Sequence, residues 1–340
     1  MPGRCGGVVV MGKGSVGLKR IHLRISIALC TYNGAKFLSE QLDSFARQTR
    51  LPDELVVCDD ASSDDTRGLV QRFASQSPFP IRLVANSSNL RSTKNFEQAI
   101  SLCDGDIICL SDQDDSWEKE KIELIESFFQ QQPDAGFVFS NAWLVDQSMA
   151  SLDGSLWDAV GFSRAEQRRF PRDGFGTLLR WNRVTGATMA FPARLRPLVL
   201  PIPANWVHDA WIALVLAAVA SGYPLEGKLI RYRQHLSQQI GERRRSWIGQ
   251  YRIARAMPSQ RHADDVTRFQ QLREHLAGLP QTSAESRSLL DAKISHLRFR
   301  AALREARRWR APAVLAEFLR GRYRRFSRGW KAAAQDLLLP

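Results

Sequence analysis

Gly105-Asp106-Ile107-Ile108-Cys109-Leu110-Ser111-Asp112-Gln113-Asp114-Asp115-Ser116-Trp117 joins a short apolar run to a cluster of three acids. The apolar run has the length of a buried strand. Because side chains alternate along an extended backbone, Asp112 and Asp114 project to the same side. Carboxylates this close repel one another, and a bound Mg2+ or Mn2+ relieves the repulsion. A solvated acidic turn that caps the next helix is the alternative interpretation.

Apolar runs of strand length alternate with amphipathic helical segments along the N-terminal part of the chain. The strand-like runs before this segment lie at 25–30, 54–58 and 81–84, and helical patterns follow them at 35–48, 62–75 and 95–102. This alternation predicts an α/β fold, with a mostly parallel sheet flanked by helices. Ligands bind such sheets at the carboxyl ends of the strands. Thr31-Tyr32-Asn33, Asp59-Asp60 and Asp112 to Asp115 all follow strands, which favours a binding site over an acidic turn.

Composition is typical of a globular intracellular protein. Hydrophobic residues make up 44% of the 340 positions, which allows one large α/β domain with an appendage. Four of the five cysteines lie in or beside apolar runs, as reduced thiols do, so we expect a cytoplasmic setting. No apolar run reaches the roughly 18 residues of a spanning helix. The absence of Gly-x-Gly-x-x-Gly after the first strand, and of a P-loop motif, argues against a dinucleotide fold and a P-loop enzyme.

The net charge of +13 is concentrated near the C-terminus. From residue 241 onward there are 22 Lys and Arg against 9 Asp and Glu, whereas the first 240 residues balance. We therefore predict a disordered leader at 1–22, an α/β domain at 23–241 and a basic helical C-terminal extension at 242–340.

Seven short motifs occur in order between residues 25 and 241. They are Ala28–Gly34 (ALCTYNG), Val57–Thr66 (VCDDASSDDT), Asn89 with Lys94–Phe96 (KNF), Leu110–Trp117 (LSDQDDSW), Val184–Thr188 (VTGAT), His208–Trp211 (HDAW) and Tyr232–His235 (YRQH). In this order they make the chain resemble the family 2 glycosyltransferases, and among them the bacterial rhamnosyltransferase-like members. The resemblance implies the GT-A fold and a nucleotide-activated sugar as donor.

The resemblance places the donor's nucleotide on the rim of the sheet. Thr31-Tyr32-Asn33 is similar to the family's nucleotide-contact turn. Asp60 resembles its pyrimidine contact, a role that suits a carboxylate because it accepts hydrogen bonds from a base N–H, and Asp59 is the alternative. Lys94 is similar to the basic residue near the phosphates.

The resemblance also assigns a metal site and a base. Asp112 and Asp114 match the family's Asp-x-Asp, which holds a divalent metal on the donor diphosphate. His235 matches a histidine near the end of the family's domain, and the resemblance implies that it is a third metal ligand. Asp115 is expected to bind the donor sugar or to cap the next helix. Asp209 resembles the general base that takes the acceptor proton in inverting transfer. No second acid is needed, because the leaving group is a metal-bound diphosphate.

Two functions remain open at this level. One is a metal-dependent inverting glycosyltransferase of cell-envelope polysaccharide synthesis, with dTDP-rhamnose suggested as donor and a glycan or polyprenyl-linked acceptor. The other is a non-catalytic nucleotide-sugar-binding protein of the same fold. The basic extension favours peripheral attachment to the anionic inner face of the cell membrane. Solvated packing on the α/β domain is the alternative, and nucleic acid is not expected as a partner.

Overall fold

The computed structural model describes residues 22–234, 260–303 and 310–338. The strands are β1 (Ile25–Thr31), β2 (Glu54–Asp59), β3 (Ile81–Ala85), β4 (Ile107–Ser111), β5 (Ser116–Trp117), β6 (Phe137–Val145), β7 (Ser151–Ser155), β8 (Met189–Pro192) and β9 (Gly222–Arg233). The helices up to residue 219 are α1 (Leu38–Ala46), α2 (Thr66–Ala74), α3 (Arg91–Leu102), α4 (Lys121–Gln131), α5 (Leu156–Ala159), α6 (Arg164–Arg180), α7 (Arg196–Val199) and α8 (His208–Val219). The later helices are α9 (Gln260–Ala277), α10 (Ala284–Ala302), α11 (Arg310–Leu319), α12 (Arg322–Phe326) and α13 (Trp330–Leu337). Three of the predictions concern residues outside the described part of the chain. They are His235, the boundary at residue 241, and the leader at 1–22 with the exception of His22.

The strands form one mixed sheet in the order β3-β2-β1-β4-β8-β6-β9-β5, with β7 paired to β6. β1 runs parallel to β2 and β4, and β2 runs parallel to β3. β8 enters antiparallel between β4 and β6. The predicted α/β sheet flanked by helices is therefore confirmed. Parallel pairings join β3, β2, β1 and β4 and also β6 with β9, whereas β8 and β5 pair antiparallel with their neighbours.

From the sequence alone, the mixed Gly, Ser, Asp and Trp pattern of 146–183 predicts loop and short helix, and 184–191 predicts a strand. Both predictions differ from the structure. The segment 146–183, predicted as loop and short helix, contains the 17-residue α6. Pro171 inside this helix and a kink at Asp173 explain why the helical pattern is weak. The signal that could have found it is a capping box, in which Ser163 and Glu166 bond each other's backbone N–H. The strand predicted at 184–191 begins as a 3-10 turn at Gly186–Thr188, and β8 starts only afterwards.

The core lies on both faces of the sheet. In β1, Ala28 faces one hydrophobic cluster while Ile27 and Leu29 face the other, as side-chain alternation requires. Helix α8 is apolar on nearly all sides and is buried in the first cluster, between the sheet and later helices. This buried helix presents its N-terminal turn, with His208 and Asp209, to the carboxyl edge of the sheet.

The C-terminal helices pack on the α/β domain. Leu272 and Leu276 of α9 and Leu290 and Ile294 of α10 belong to the same buried cluster as α8. Helices α11 to α13 enclose a smaller cluster that includes Val314 and Tyr323. No helix among the described residues is long and apolar enough to cross a bilayer.

Replacing Leu290 by Ala should destabilise the whole protein. The side chain is completely buried between α10 and the α/β domain, and such a truncation costs about 2–5 kcal/mol. Thermal denaturation should show a fall of several degrees in Tm. Leu315→Ala is the matched control, because Leu315 is 58% exposed and its loss should change stability by no more than about 0.5 kcal/mol. Equal, small effects of both changes would contradict the packing of α10.

Candidate active site

A cleft of about 1840 Å³ opens at the carboxyl ends of β1, β2 and β4. It brings together most of the residues that the sequence predicted for the site. Those on its wall are Thr31, Tyr32, Asn33, Asp60, Lys94, Asp112, Asp114 and Asp209. Residues separated by up to 178 positions along the chain thus share one surface.

Asp115 lies behind this wall, completely buried. Its Oδ1 accepts a hydrogen bond from the Arg233 backbone N–H at 3.1 Å, and its Oδ2 has no hydrogen-bond partner within the described part of the chain. Burial and the neighbouring carboxylates raise the pKa of Asp115 well above its usual range. It does not cap α4, whose N-cap residue is Glu120. Its predicted contact with the donor sugar stays a prediction.

The geometry separates the roles of Asp59 and Asp60. Asp59 is buried between β1 and β2, where its carboxylate accepts from Thr31 Oγ1 at 2.9 Å and from the backbone N–H of Ser62 at 3.0 Å. Asp60 lines the cleft and accepts from the Leu90 backbone N–H at 2.7 Å. Asp59 therefore holds the two strands together, and Asp60 is the carboxylate available to a ligand.

Gln113, the middle residue of the Asp-x-Asp segment, fixes the first turn. Its Oε1 accepts from Tyr32 N at 2.8 Å and its Nε2 donates to Tyr32 O at 3.0 Å. A Cβ on Gly34 would lie 2.1 Å from Gln113 Oε1, so a larger residue there would displace the Gln113 side chain from Tyr32. The clamp leaves the Tyr32 ring 48% exposed at the rim. Sequence reasoning missed this role of Gln113, which lies in the bend after β4 and lines the same cleft as the two aspartates.

The carboxylates of the rim suit a divalent cation. Burial, followed by the charges of Asp114 and Asp209, raises the pKa of Asp112. A cation near Asp112 and Asp114 would relieve this crowding, and hard oxygen ligands are those that Mg2+ and Mn2+ prefer. Within 22–234, 260–303 and 310–338, no group of three or more His, Cys, Asp and Glu side chains could hold a metal. A cation held by these two aspartates would complete its shell with water and ligand oxygens.

Asp209 lies in the first turn of α8 and is held from two sides. Its Oδ2 accepts from the Gly186 backbone N–H at 3.0 Å and its Oδ1 from Asn182 Nδ2 at 3.4 Å. Burial raises the pKa of Asp209 to about 6, although these hydrogen bonds act in the opposite direction. Asn182 was missed by sequence reasoning, because nothing in its local pattern marks it. The arrangement gives an oriented carboxylate that can accept a proton near neutral pH.

His208, next to this carboxylate, stacks on Phe96 with ring centroids 3.8 Å apart. Both ring nitrogens lack a hydrogen-bond partner among the described residues. Burial lowers the pKa of His208 to about 3, so the ring is neutral. A Cβ on Gly186 would lie 2.6 Å from His208 Nε2, so glycine leaves the room that the imidazole occupies.

The chain's sequence from 26 to 149 matches the family model described as Glycosyl transferase family 2. This matched part of the chain, the family 2 domain, covers 124 of the 340 residues. This segment contains the Thr31-Tyr32-Asn33 turn, Asp60 and the Asp-x-Asp of the rim, whereas Asp209 lies beyond it.

Relatives of this family 2 domain include named transferases. The dTDP-rhamnosyl transferase RfbG of Shigella flexneri is 34% identical over 99 residues, which cover 28% of this chain and 34% of that protein. The abequosyltransferase RfbV of Salmonella typhimurium is 30% identical over 112 residues, 32% of this chain and 34% of that protein. The matched segments thus span about a third of the length of these relatives.

Solved structures extend the likeness beyond the family 2 domain. The crystal structure of S. aureus TarS 1-349 matches 82% of this chain and 72% of its own, with a TM-score of 0.56 at 16% identity. Its complex with UDP-GlcNAc matches 88% of both chains, with a TM-score of 0.53 at 16% identity. At this identity the likeness establishes the fold alone, and it agrees with the GT-A fold that the motifs imply.

The cleft continues past the family 2 domain to the C-terminal helices. Lys293 and Arg300 of α10 and Arg328, between α12 and α13, line its far side together with Trp181 after α6. The basic extension was predicted as a separate region, and nothing in its local pattern places these side chains near Asp209. Long-range packing alone brings them there.

The carboxyl group of Asp209 should titrate near pH 6 rather than near 3.8. The measurement is the 13C chemical shift of its carboxyl carbon against pH, with the resonance identified by its loss in Asp209→Asn. Asn182→Ala removes a hydrogen bond to the charged form and should raise this pKa further. A midpoint near 3.8, or an unchanged pKa in Asn182→Ala, would contradict the described environment of Asp209.

Proposed function

We propose that the protein is a metal-dependent inverting glycosyltransferase that uses a nucleotide diphosphate sugar in cell-envelope polysaccharide synthesis. The observation that supports it most is the placement of Asp112, Asp114 and Asp209 on one cleft wall. The family 2 domain at 26–149 supports the same class of reaction. The acceptor is a glycan or a lipid-linked sugar, and the site of action is the cytoplasmic face of the membrane.

In this proposal the rim binds the donor. The Thr31-Tyr32-Asn33 turn and Asp60 hold the nucleotide, and Lys94 lies near the phosphates. Asp112 and Asp114 would hold Mg2+ or Mn2+, with His235 as a further ligand. When bound, the cation neutralises the charge that develops on the departing diphosphate. The 34% identity to RfbG supports dTDP-rhamnose as the donor.

Asp209 is the base of the proposed reaction. It takes the proton of the acceptor hydroxyl as that oxygen attacks the anomeric carbon from the face opposite the diphosphate, which inverts the configuration. The N–H of Gly186 and the amide of Asn182 fix the direction of the carboxylate. Its raised pKa of about 6 makes it a better proton acceptor than an ordinary aspartate and leaves it charged at pH 7.

Asp209→Asn and Asp114→Asn should separate catalysis from metal binding. Loss of the base should lower transfer about 100- to 10,000-fold while donor and metal still bind. Asp114→Asn should lower turnover and also abolish metal-dependent donor binding. The measurements are nucleotide release and thermal shift with dTDP-rhamnose or UDP-GlcNAc, with and without Mn2+. A ligand at 100 times its Kd stabilises by about 2.7 kcal/mol, which is readily detected.

Asp153→Asn is the matched control, because Asp153 is exposed on β7 and does not line the cleft. Loss of donor binding in Asp209→Asn would mean that this carboxylate is structural. Full activity of Asp114→Asn would exclude it as a metal ligand. Binding of donors without turnover, across a broad set of acceptors, would instead favour a non-catalytic nucleotide-sugar-binding protein.

We also propose that α11 to α13 rest on an anionic membrane surface. Large apolar side chains are exposed here, among them Leu319 at 76% and Trp330 at 59%. The two acids of the described segment 310–338, Glu317 and Asp336, are buried against His296 and Arg300. Every exposed charge of this segment is therefore positive, namely Arg320, Arg324, Arg325, Arg328 and Lys331. Exposed apolar and cationic side chains in the same short segment match the chemistry of anionic lipid.

Full-length protein should float with vesicles that contain phosphatidylglycerol, and salt should release it. Each basic residue near such a surface contributes about 1 kcal/mol, and screening weakens this contribution. Combining Leu319→Asp with Trp330→Asp should abolish flotation, because it removes apolar area and adds negative charge. Leu124→Asp on α4 is the control, since Leu124 is 44% exposed elsewhere on the protein. Failure of the wild type to float at low salt would exclude this surface as a membrane contact.

A further inference from the structure

The two ends of the cleft differ in charge. On the donor side the lining contains Lys36, Arg91 and Lys94 against Asp60, Asp112 and Asp114. Beyond Asp209 the basic residues of the lining are Arg180, Arg183, Arg268, Lys293, Arg300 and Arg328, and its acids are Asp265 and Asp336. Even with the buried Glu166 included among the acids, the far side has a surplus of positive charge.

Ion pairs account for part of this set. Arg300 binds Asp336 through two hydrogen bonds of 2.7 and 2.8 Å, and Arg268 pairs with Asp265. Arg180 and Arg183 share Glu166. Lys293 and Arg328 remain, and neither has a carboxylate within ion-pair distance among the described residues.

Lys293 is a buried cation whose only hydrogen bond within the described chain goes to a neutral acceptor. Its Nζ donates to the carbonyl oxygen of Phe326 at 2.9 Å, which uses one of its three N–H groups. Burial lowers the pKa of Lys293 to about 8, so the ammonium group remains charged at pH 7. Its other contact is the ring of Phe269, whose centre lies 5.1 Å from Nζ. A buried charge without a carboxylate partner is costly, and an anionic ligand in the cleft would offset that cost.

Arg328 is held on the cleft wall by the turn between α12 and α13. Arg180 Nε donates to the Ser327 carbonyl oxygen at 3.3 Å, and Gly329 has the positive φ of 60° that this turn needs. The guanidinium carbon of Arg328 lies 4.5 Å from the centre of the Trp181 ring. Trp181 directly precedes Asn182, which contacts Asp209, so a short chain of neighbours connects Arg328 to the proposed base.

We infer that the acceptor bears a phosphate group beside its accepting sugar, and that Lys293 and Arg328 bind this phosphate while Asp209 faces the hydroxyl. The inference rests on the proposed function and specifies its acceptor. A guanidinium and an ammonium group are the usual protein ligands of phosphate oxygens. The phosphate belongs either to a lipid-linked diphosphate or to a phosphodiester of a polymer, and both present the same chemistry to these two side chains.

The test is the affinity of the full-length protein for inorganic pyrophosphate, measured by isothermal titration calorimetry. EDTA in the buffer removes divalent metal ions, so that only metal-free binding is measured. Arg328→Gln should weaken binding about tenfold or more, because it removes a charge-assisted contact and its geometry. Lys293→Met should act in the same direction. Arg324→Gln is the matched control, since Arg324 is an exposed arginine of α12 that does not line the cleft, and it should bind as the wild type does.

Two further probes identify the source of the phosphate. If geranyl diphosphate binds more tightly than pyrophosphate, the acceptor is lipid-linked. If bis(glyceryl) phosphate binds more tightly than pyrophosphate, the acceptor is a polymer with phosphodiester links. Unchanged pyrophosphate affinity in Arg328→Gln, or an equal loss in Arg324→Gln, would overturn the inference. Because the readout is metal-free binding and not transfer, such a failure leaves the test with Asp209→Asn unaffected, and the two hypotheses can fail separately.

Discussion

Repulsion among four carboxylates at one edge of the sheet is the constraint on which the site depends. Asp112, Asp114, Asp115 and Asp209 converge there, and burial together with their mutual charge raises the pKa of Asp112 and Asp115. A fold gains nothing in stability from such a cluster. The surrounding structure compensates with donors and with buried basic side chains, among them Arg233 and Lys121. The attraction of Lys121 favours the ionised carboxylates, although burial lowers its own pKa to about 7. A bound metal ion would supply the remaining positive charge.

Lys121 also connects the two halves of the site. It is fully buried, lies 3.5 Å from the centre of the Trp117 ring and donates to the carbonyl oxygen of Ala187 at 2.8 Å. The preceding residue, Gly186, gives its N–H to Asp209. One 3-10 turn therefore contacts both the cation behind the acidic rim and the proposed base. This shared turn explains why β8 begins later than the hydrophobic pattern predicts, since the turn residues serve the site before the strand starts.

Sequence predicted those parts of the fold and the site that depend on local pattern. Strands β1 to β4 and the rim residues at their ends follow from apolar runs and from the side-chain alternation around Asp112. The bonds of Gln113 to Tyr32 could not be predicted, because the backbone leaves the extended conformation after β4. The roles of Asn182 and Lys293 could not be predicted either. Asn182 contacts Asp209 across 27 positions of the chain, and Lys293 reaches the cleft through the packing of α10 on the α/β domain. Helix α6 was missed because its proline and glycines hide a helix that its capping box would have revealed.

The two ends of the cleft meet the same electrostatic requirement by different means. On the proposed function, the donor diphosphate must leave after transfer, so the charge that neutralises it is best carried by an exchangeable cation on Asp112 and Asp114. The acceptor phosphate takes no part in bond breaking, so fixed side chains can bind it throughout. Lys293 and Arg328 are fixed in this sense, because the turn between α12 and α13 is anchored by hydrogen bonds to its carbonyl groups. On the two proposals, basic residues of the C-terminal helices would act inside the cleft and on the outer surface separately. The buried acids Glu317 and Asp336 hold the helices that carry both sets.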